Sequence, residues 1–311
     1  MSETARVPTP PIDRTQCHDP RVSIVVITRN RASDLLRSLK RLTALESRPR
    51  VVVVDNGSTD GTVAAVRRAF PEVDVIALAR NRGAAARNVG VATVTTPYVA
   101  FADDDSWWAP GSLPRAADLL DRHSRLALVN AHIRVNEDEH DDPTCLEMAK
   151  SPLPLAPGQP GHALLSYIAC AVVMRRAAFL EVGGYRDEFL VGGEEEILGW
   201  DLAAAGWQMS YVPELVAYHH PSPSRDAHDR RAHDIRNTLW TTWLRRPLRP
   251  ACRRTWRLLR SLPRDRVSAR AFAAACAGLP RILSHRRVNP PHVEWMRQLL
   301  DAQRERPQAR R

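Results

Sequence analysis

The stretch Val51–Thr62, with the sequence VVVVDNGSTDGT, decides the fold class. Four consecutive β-branched valines predict a strand that is buried on both faces, as the strands of a parallel sheet are. The segment Asp55–Ser58 that follows is typical of a turn, and Thr59 and Asp60 are suited to cap a helix over Gly61–Phe70. A buried strand that runs through a polar turn into a helix is the repeating unit of an α/β fold.

The same unit recurs on both sides of this stretch. Upstream, the apolar run Val22–Ile27 predicts a strand, and the leucine spacing of Arg31–Leu45 predicts a helix. Downstream, Val73–Leu78 and Pro97–Phe101 are expected to be strands, with a short helix over Gly83–Ala92 between them. Strands and helices that alternate at such short intervals indicate a mostly parallel, Rossmann-like sheet.

The later part of this region predicts a helix over Glu194–Ala205 and two strands, Met209–Val212 and Val216–His220. The chain has neither a GxGxxG run nor a Walker lysine motif. Their absence from the sequence argues against a dinucleotide-dependent dehydrogenase and against a P-loop enzyme.

Charge and composition divide the chain into three parts. Residues 1–20 are polar and proline-rich and predict a flexible leader, and residues 21–222 are expected to form the α/β domain. Residues 223–311 hold 22 arginines against 7 acidic residues. This part is therefore more positive than the chain as a whole, whose net charge is +10. This last part is predicted to be a basic helical extension.

The cysteines and the apolar segments bear on localisation. The five cysteines are scattered and lack the spacing of a zinc site or a disulfide scaffold, which favours a reducing compartment. Neither the polar N-terminus nor any apolar run resembles a signal peptide or a bilayer span. We therefore expect a cytoplasmic protein that is either free or peripheral to the inner face of the membrane.

Polar residues follow three predicted strands at their carboxyl ends. The clusters are Thr28-Arg29-Asn30, Asp55-Asn56-Gly57 and Asp103-Asp104-Asp105. Ligands of open α/β sheets bind beyond the carboxyl ends of the strands, so the three clusters predict one ligand site. Adjacent carboxylates favour a hard cation such as Mg²⁺ or Mn²⁺, although a solvated acidic turn explains the triplet as well.

Three further features each allow two interpretations. Asp55 is suited to bind a base or ribose, or simply to form its turn. In the segment Asn81–Asn88, Gly83 marks a tight turn, and Arg87 is suited either to pair with a diphosphate or to lie at the surface. His219 follows the last predicted strand, where a histidine binds a metal or a phosphate or is structural.

The run Glu194-Glu195-Glu196 opens a predicted helix. Glu195 shares one helix face with Leu198 and Leu202, so it is expected to point toward the body of the protein, where a carboxylate can act as a general base. Neighbouring carboxylates raise the pKa of such a group, while the helix N-terminus lowers it. An ordinary acidic first turn explains the run equally well.

Together these segments resemble the family 2 glycosyltransferases, which have the GT-A fold, over about residues 21–222. The matching segments, in the family's order, are Val22–Asn30, Val51–Thr62, Asn81–Gly90, Tyr98–Asp105, Gly183–Phe189, Gly193–Gly206 and Tyr211–His220. The resemblance implies an inverting, metal-assisted transfer of a sugar from a UDP- or dTDP-sugar to an acceptor hydroxyl. The sequence does not name the acceptor, which is a glycan, a lipid-linked molecule or a small molecule.

The resemblance also implies roles for individual residues. Asp55 would contact the base, Arg87 the nucleotide and Asp103 the ribose, while Asp105 would hold the metal on the diphosphate and Glu195 would deprotonate the acceptor. The full expected set comprises Thr28, Arg29, Asn30, Asp55, Asn81, Gly83, Arg87, Asp103 and Asp104 at the nucleotide, Asp103, Asp105 and His219 at the metal, and Glu194, Glu196 and Trp107 around the catalytic Glu195.

Two positions depart from the family pattern. Glu195 stands where the family usually has aspartate, within a run that leaves the register ambiguous by one residue, and Asp201 stands where arginine is common. A catalytically degenerate nucleotide-sugar-binding protein therefore stays open as an alternative. A sugar-nucleotide-forming nucleotidyltransferase is the other, although Thr28–Arg31 lacks the glycine-rich triphosphate loop expected of it.

The basic extension interleaves apolar residues with arginines. The apolar members are Trp240, Trp243, Leu244, Leu248, Trp256, Leu258 and Leu259. Helices of this composition either cover the acidic catalytic domain or lie on an anionic membrane surface. No recognition motif accompanies the charge, so we expect no specific nucleic-acid partner.

Overall fold

A ten-stranded mixed sheet forms the centre of the computed structural model, which describes residues 19–221 and 227–305. The predicted leader, residues 1–20, lies almost entirely outside these ranges. The strands are β1 Val22–Thr28, β2 Arg50–Asp55, β3 Asp74–Ala77, β4 Tyr98–Asp103, β5 Ser106–Trp108, β6 Leu126–Val135, β7 His140–Asp141, β8 His162–Ala163, β9 Val172–Arg175 and β10 Gln208–His219. The helices are α1 Ala32–Leu42, α2 Thr62–Ala69, α3 Ala86–Thr93, α4 Ser112–Arg122, α5 Pro143–Ala149, α6 Arg176–Glu181, α7 Glu194–Ala204, α8 Ala227–Arg245, α9 Leu248–Ser261, α10 Arg266–Ser284 and α11 Pro291–Glu305.

Strands β3, β2, β1 and β4 are neighbours in that order and run parallel, which confirms the predicted α/β unit. The valines and isoleucines of β1 and β2 are buried almost throughout, because helices cover both faces of such a sheet. The register pairs Thr28 with Asp55 and Ile27 with Asp103, so the carboxyl ends of β1, β2 and β4 lie side by side.

The other half of the sheet mixes strand directions. β9 runs antiparallel to β4 and β6, β6 runs parallel to β10, and β5 pairs antiparallel with β10. The expectation of two strands, Met209–Val212 and Val216–His220, is wrong, because both belong to β10. The pairing of β10 with β6 is irregular between Val212 and Val216, where Pro213 has no amide N–H to donate to the ladder.

The C-terminal helices pack on the α/β body. Val293 of α11 belongs to the same hydrophobic core as the sheet, and Leu299 packs against that core. Arg246, the residue after α8, is buried and lies 2.7 Å from both Glu294 and Asp301 of α11. Residues 222–226, where the sequence predicts the domain boundary, lie outside the described residues. Among the described helices, none combines the length and apolarity needed to cross a bilayer.

Candidate active site

Three strands deliver polar residues to one edge of the sheet. β1 ends at Thr28, β2 at Asp55 and β4 at Asp103, and the register sets these three residues side by side. Asp104 and Asp105 follow in the turn that leads into β5. The structure thus brings together the three polar clusters that the sequence places at strand ends.

Asp55 is engaged by its own turn. It is buried, and its carboxylate accepts the N–H of Ser58 at 2.9 Å as well as the Ser58 hydroxyl proton. Asn30, with a φ of 53°, ties the loop after β1 to this turn. Its N–H donates to Ser58 Oγ and its Oδ1 accepts from the N–H of Thr59, both at 2.8 Å. Asn30 and the neighbouring Arg29 are exposed, so a ligand can reach them.

Asp104 points into the protein. Its carboxylate accepts the Thr28 hydroxyl proton at 3.0 Å and lies 3.2 Å from Nη1 of Arg31. Burial raises the pKa of Asp104 to about 7, despite the opposing charge of Arg31. Thr28 and Asp104, both expected at the nucleotide, therefore bind each other and join the loops that follow β1 and β4.

Arg87 of α3 is buried at the end of β4. Its guanidinium contacts the Asp103 carboxylate and lies 5.7 Å from the ring centroids of both Phe101 and Tyr185. Burial disfavours the charge, but Asp103 and, at longer range, Glu195 outweigh it, so the pKa of Arg87 is raised. Arg87 is thus a permanent positive charge beneath the site, with its side chain turned to Asp103.

The turn before α3 is shaped by asparagine side chains. Asn81 Oδ1 accepts the N–H of Gly83 at 2.8 Å. Asn56 accepts the N–H of Arg82 and donates to the carbonyl of Gly83, both at 3.0 Å. Gly83 has a φ of 56°, and a Cβ there would collide with the carbonyl of Leu190. Asn56, which belongs to the polar cluster predicted at the end of β2, therefore holds the turn that leads into α3.

A carboxylate and an imidazole meet where β4 leads into β5. Oδ1 of the buried Asp105 lies 3.4 Å from Nε2 of His219, and its Oδ2 lies 3.6 Å from Arg31. Carboxylate oxygen and imidazole nitrogen are both donors for divalent metals, so this pair fits a cation by its chemistry. Asp103, the third residue expected at the metal, contacts Arg87, and its role at the metal stays a prediction. Among the described residues, no group of three or more His, Cys, Asp or Glu side chains is arranged to hold a metal ion.

The first two glutamates of α7 interact electrostatically with Arg87. Glu194 is buried, and burial together with the charge of Glu195 raises its pKa to about 8. Glu195 is half-buried, and its Oε1 accepts the N–H of Ala169 at 2.6 Å. The electrostatic coupling of Arg87 to Glu195 and Glu194 connects the start of α7 with the end of β4.

The third glutamate and Asp201 are bound by the C-terminal helices. Glu196 lies 3.1 Å from Arg254 of α9 and 3.6 Å from Arg297 of α11. Asp201, farther along α7, forms a 2.6 Å ion pair with Arg245 of α8. The extension therefore neutralises two carboxylates of α7 and leaves Glu194 and Glu195 beside Arg87.

Trp107 lies on the edge strand β5. Its ring stacks on Tyr218 at 5.8 Å and packs against His220 at 4.6 Å, and Arg41 lies 5.9 Å from its centre. These contacts fix Trp107 against β10 and α1. Its expected place beside the base helix stays a prediction.

Two tyrosines without a predicted role connect Arg87 with α7. Tyr167 and Tyr185 are buried, their hydroxyls are 2.7 Å apart, and both interact electrostatically with Arg87 and Glu195. Burial raises the pKa of both tyrosines, so they stay neutral and hydrogen-bonded. Tyr185 lies in one of the segments that carry the family resemblance, but its neighbours are known only from the fold.

Comparison with known proteins agrees with this geometry. The model of glycosyl transferase family 2 matches residues 23–183, which is more than half of the chain. The chain belongs to glycosyl transferase family 2. This family member also resembles a mannosyltransferase from Pyrobaculum calidifontis solved in complex with GDP-Man and Mn²⁺, with a TM-score of 0.56 and 20% identity over 94% of this chain and 77% of that one. The similarity confirms the predicted GT-A fold with a helical C-terminal region.

Two curated relatives come from Mycobacterium tuberculosis. A pre-mycofactocin glycosyltransferase is 34% identical over 225 residues, which are 66% of this family 2 protein and 44% of the relative. The present chain thus spans less than half the length of that relative. An N-acetylglucosaminyl-diphospho-decaprenol L-rhamnosyltransferase is 27% identical over 268 residues, 73% of this chain and 87% of the relative.

Proposed function

We propose that this protein is an inverting glycosyltransferase that moves a sugar from a nucleotide-diphosphate donor to an acceptor hydroxyl. The observation that carries the proposal is the buried charge of Arg87, which contacts Asp103 on the donor side and is coupled to Glu194 and Glu195 on the other. The fixed guanidinium of Arg87 lies between the sheet edge proposed to bind the nucleotide and the carboxylate proposed as the base. This arrangement would bring both reactants of an in-line displacement to one site.

Glu195 is the proposed general base. The hydrogen bond from the N–H of Ala169 to its Oε1 orients the carboxylate that would accept the proton. The acceptor oxygen loses its proton to Glu195 as it attacks the anomeric carbon. The nucleoside diphosphate leaves from the opposite face of the sugar, so the anomeric configuration inverts.

The nucleotide and the cation are assigned to the carboxyl edge of the sheet. The exposed Arg29 and Asn30, beside the turn of Asp55, are proposed to line the pocket for the base. Asp105 and His219 are the residues that would hold a divalent cation, which supplies positive charge to the departing diphosphate when it is bound. Arg87 keeps Asp103 in place below the ribose. On the family resemblance, we propose UDP- or dTDP-sugars as donors.

The acceptor is proposed to lie at an anionic membrane surface, because one helix of the extension leaves an apolar strip uncovered. On α9, Leu248, Trp256 and Leu259 are 64%, 61% and 40% exposed, and with the exposed Cys252 their spacing sets them on one helix face. Four exposed arginines border this strip: Arg249, Arg253, Arg257 and Arg260. In contrast, Leu239 and Leu244 of α8 are buried, which means that the rest of the protein covers the apolar face of α8.

Donor turnover tests the proposed function. Purified protein is incubated with UDP-, dTDP-, GDP- and ADP-sugars, with Mn²⁺ or with EDTA, and the release of nucleoside diphosphate is measured. We expect release from UDP- or dTDP-sugars only with the metal, and these nucleotides should raise the melting temperature most. Pyrophosphate release from a nucleoside triphosphate and a sugar phosphate would identify a nucleotidyltransferase instead. Binding without any turnover would identify a degenerate binding protein.

A further inference from the structure

The segment Phe189–Gly193, which we call the strap, leads directly into the base helix α7 and is held by one buried side chain. Asn237 of α8 is fully buried. Its Nδ2 donates to the carbonyls of Phe189 at 2.8 Å, Val191 at 2.8 Å and Gly192 at 2.5 Å. A carboxamide has two N–H groups, so three acceptors mean that at least one N–H is shared. One side chain therefore satisfies three backbone carbonyls of an irregular segment.

The rest of α8 fits closely around the strap. Arg236 donates to the carbonyl of Phe189 at 3.2 Å. Gly192 and Gly193 have φ values of 86° and 81°, and a Cβ on Gly192 would approach Asp234 to 2.6 Å. Leu190 also has a positive φ, 56°, which costs a non-glycine residue free energy unless its surroundings impose it. The strap conformation is thus imposed by α8.

The opposite side of the strap rests on the donor side of the site. The carbonyl of Leu190 accepts the N–H of Ala84 at 2.7 Å, in the turn that leads into α3 and Arg87. Gly83, the preceding residue, has no room for a side chain because the backbone of Leu190 fills that space. At its other end, the carbonyl of Gly193 accepts the N–H of Ile197 in the first turn of α7. The strap therefore links the nucleotide turn to the start of the base helix.

We propose that Asn237 is a positioning residue for catalysis: it holds the strap in the conformation that sets Glu195 at the correct distance from the donor turn. This inference rests on the proposed function, because it assigns Glu195 as the base. Because Asn237 belongs to α8, the basic extension would contribute to the geometry of the active site. A distant mutation that displaces a catalytic group by about 1 Å can lower the rate about 10²-fold. Loosening the strap should therefore lower kcat strongly.

The test compares Asn237→Asp with Asn289→Ala. The aspartate keeps the shape of Asn237 but donates no hydrogen bond to the three carbonyls. Asn289 is another buried asparagine of the extension, and among the described residues its side chain has no hydrogen-bond partner. We expect Asn237→Asp to lower kcat for transfer about 10- to 100-fold, with the Kd for UDP in Mn²⁺ within about twofold of the wild type, whereas Asn289→Ala keeps its kcat.

A double-mutant cycle with Glu195→Gln separates positioning from a purely structural role. If Asn237 acts through Glu195, Asn237→Asp should change the residual rate of Glu195→Gln by less than about twofold, because no base is left to misplace. An equal loss in both backgrounds, or a kcat like that of Asn289→Ala, would overturn the proposal.

Proteolysis reports on the strap without using activity. The three hydrogen bonds of Asn237 form a clamp on the strap, and the Phe189 side chain is fully buried. Chymotrypsin should therefore cleave Asn237→Asp after Phe189 at least about tenfold faster than the wild type, because local opening becomes easier. Equal cleavage rates would contradict the clamp itself. Faster cleavage together with a fully active Glu195→Gln would instead show that the base assignment in the proposed function fails while the clamp is real.

Discussion

Arg245 of α8 forms two hydrogen bonds with Asp201 of α7, from Nε to Oδ1 at 2.6 Å and from Nη2 to Oδ2 at 2.9 Å. The arginine side chain is only 4% exposed. In the family that the chain resembles, position 201 commonly carries arginine, so this protein has an acid there and supplies the cation from its extension. The ion pair gives the acid at position 201 a partner that the sequence alone does not identify.

Removing the cation of this pair should destabilise the fold. Arg245→Met leaves the partly buried Asp201 carboxylate uncompensated, and we expect a loss of about 3 kcal/mol in the free energy of unfolding, measured in urea. The exchanged variant Asp201→Arg/Arg245→Asp should recover part of this loss, because it restores opposite charges. A single variant as stable as the wild type would mean that the pair contributes nothing.

Glu195→Gln should lower the turnover of donor and acceptor by roughly a hundredfold while donor binding stays near normal, because the variant lacks only the proton acceptor. Glu196→Gln is the matched control: it changes the same atoms one position along, where Arg254 and Arg297 already bind the carboxylate. Initial rates and the Kd for UDP are measured for both. If Glu194→Gln or Glu196→Gln is the inactive variant instead, the base is a neighbouring glutamate.

Asp105→Ala should abolish activity and the enhancement of UDP binding by Mn²⁺. The variant lacks the carboxylate that meets His219, so a cation loses its anionic ligand there. His219→Ala should weaken the enhancement, and His140→Ala, on the exposed strand β7, is the control. Calorimetric titration of UDP with and without Mn²⁺ measures the effect. Undiminished enhancement in Asp105→Ala would place the metal elsewhere.

The raised pKa of Glu194, about 8, predicts how stability depends on pH. Between a pKa near 4.5 in the unfolded chain and about 8 in the folded one, the folded protein binds the extra proton. The stabilisation is therefore complete below the unfolded value and is lost as pH rises toward 8. In EDTA, the free energy of unfolding should fall less steeply with pH for Glu194→Gln than for the wild type. Parallel pH profiles would show that burial does not shift this carboxyl.

The parallel strands and their polar ends were predictable, because valine runs and strand-end carboxylates are local features of the sequence. The single strand β10 was not, since Pro213 resembles a strand break where the ladder resumes after an irregularity. The pairing of Arg87 with Asp103 and the clamp of Asn237 depend on contacts 16 and 45 to 48 residues apart. Nothing in a local pattern states which polar group will meet such a distant partner, so only the fold identifies these roles.

The exposed strip of α9 should bind anionic membranes. The chain with its basic extension is floated with phosphatidylglycerol vesicles, and we expect binding that high salt weakens, because each arginine near such a surface contributes on the order of 1 kcal/mol. Trp256→Ser should release the protein through lost apolar contact, and Arg253→Gln/Arg257→Gln through lost charge. Trp295→Ser is the control, since Trp295 of α11 is 51% exposed and lies outside the strip. Point variants are preferable to removing the extension, because Val293 of α11 belongs to the main core and its loss would unfold the body. If the wild type stays unbound at low salt, the strip is not a membrane-docking face, and the acceptor need not be lipid-linked.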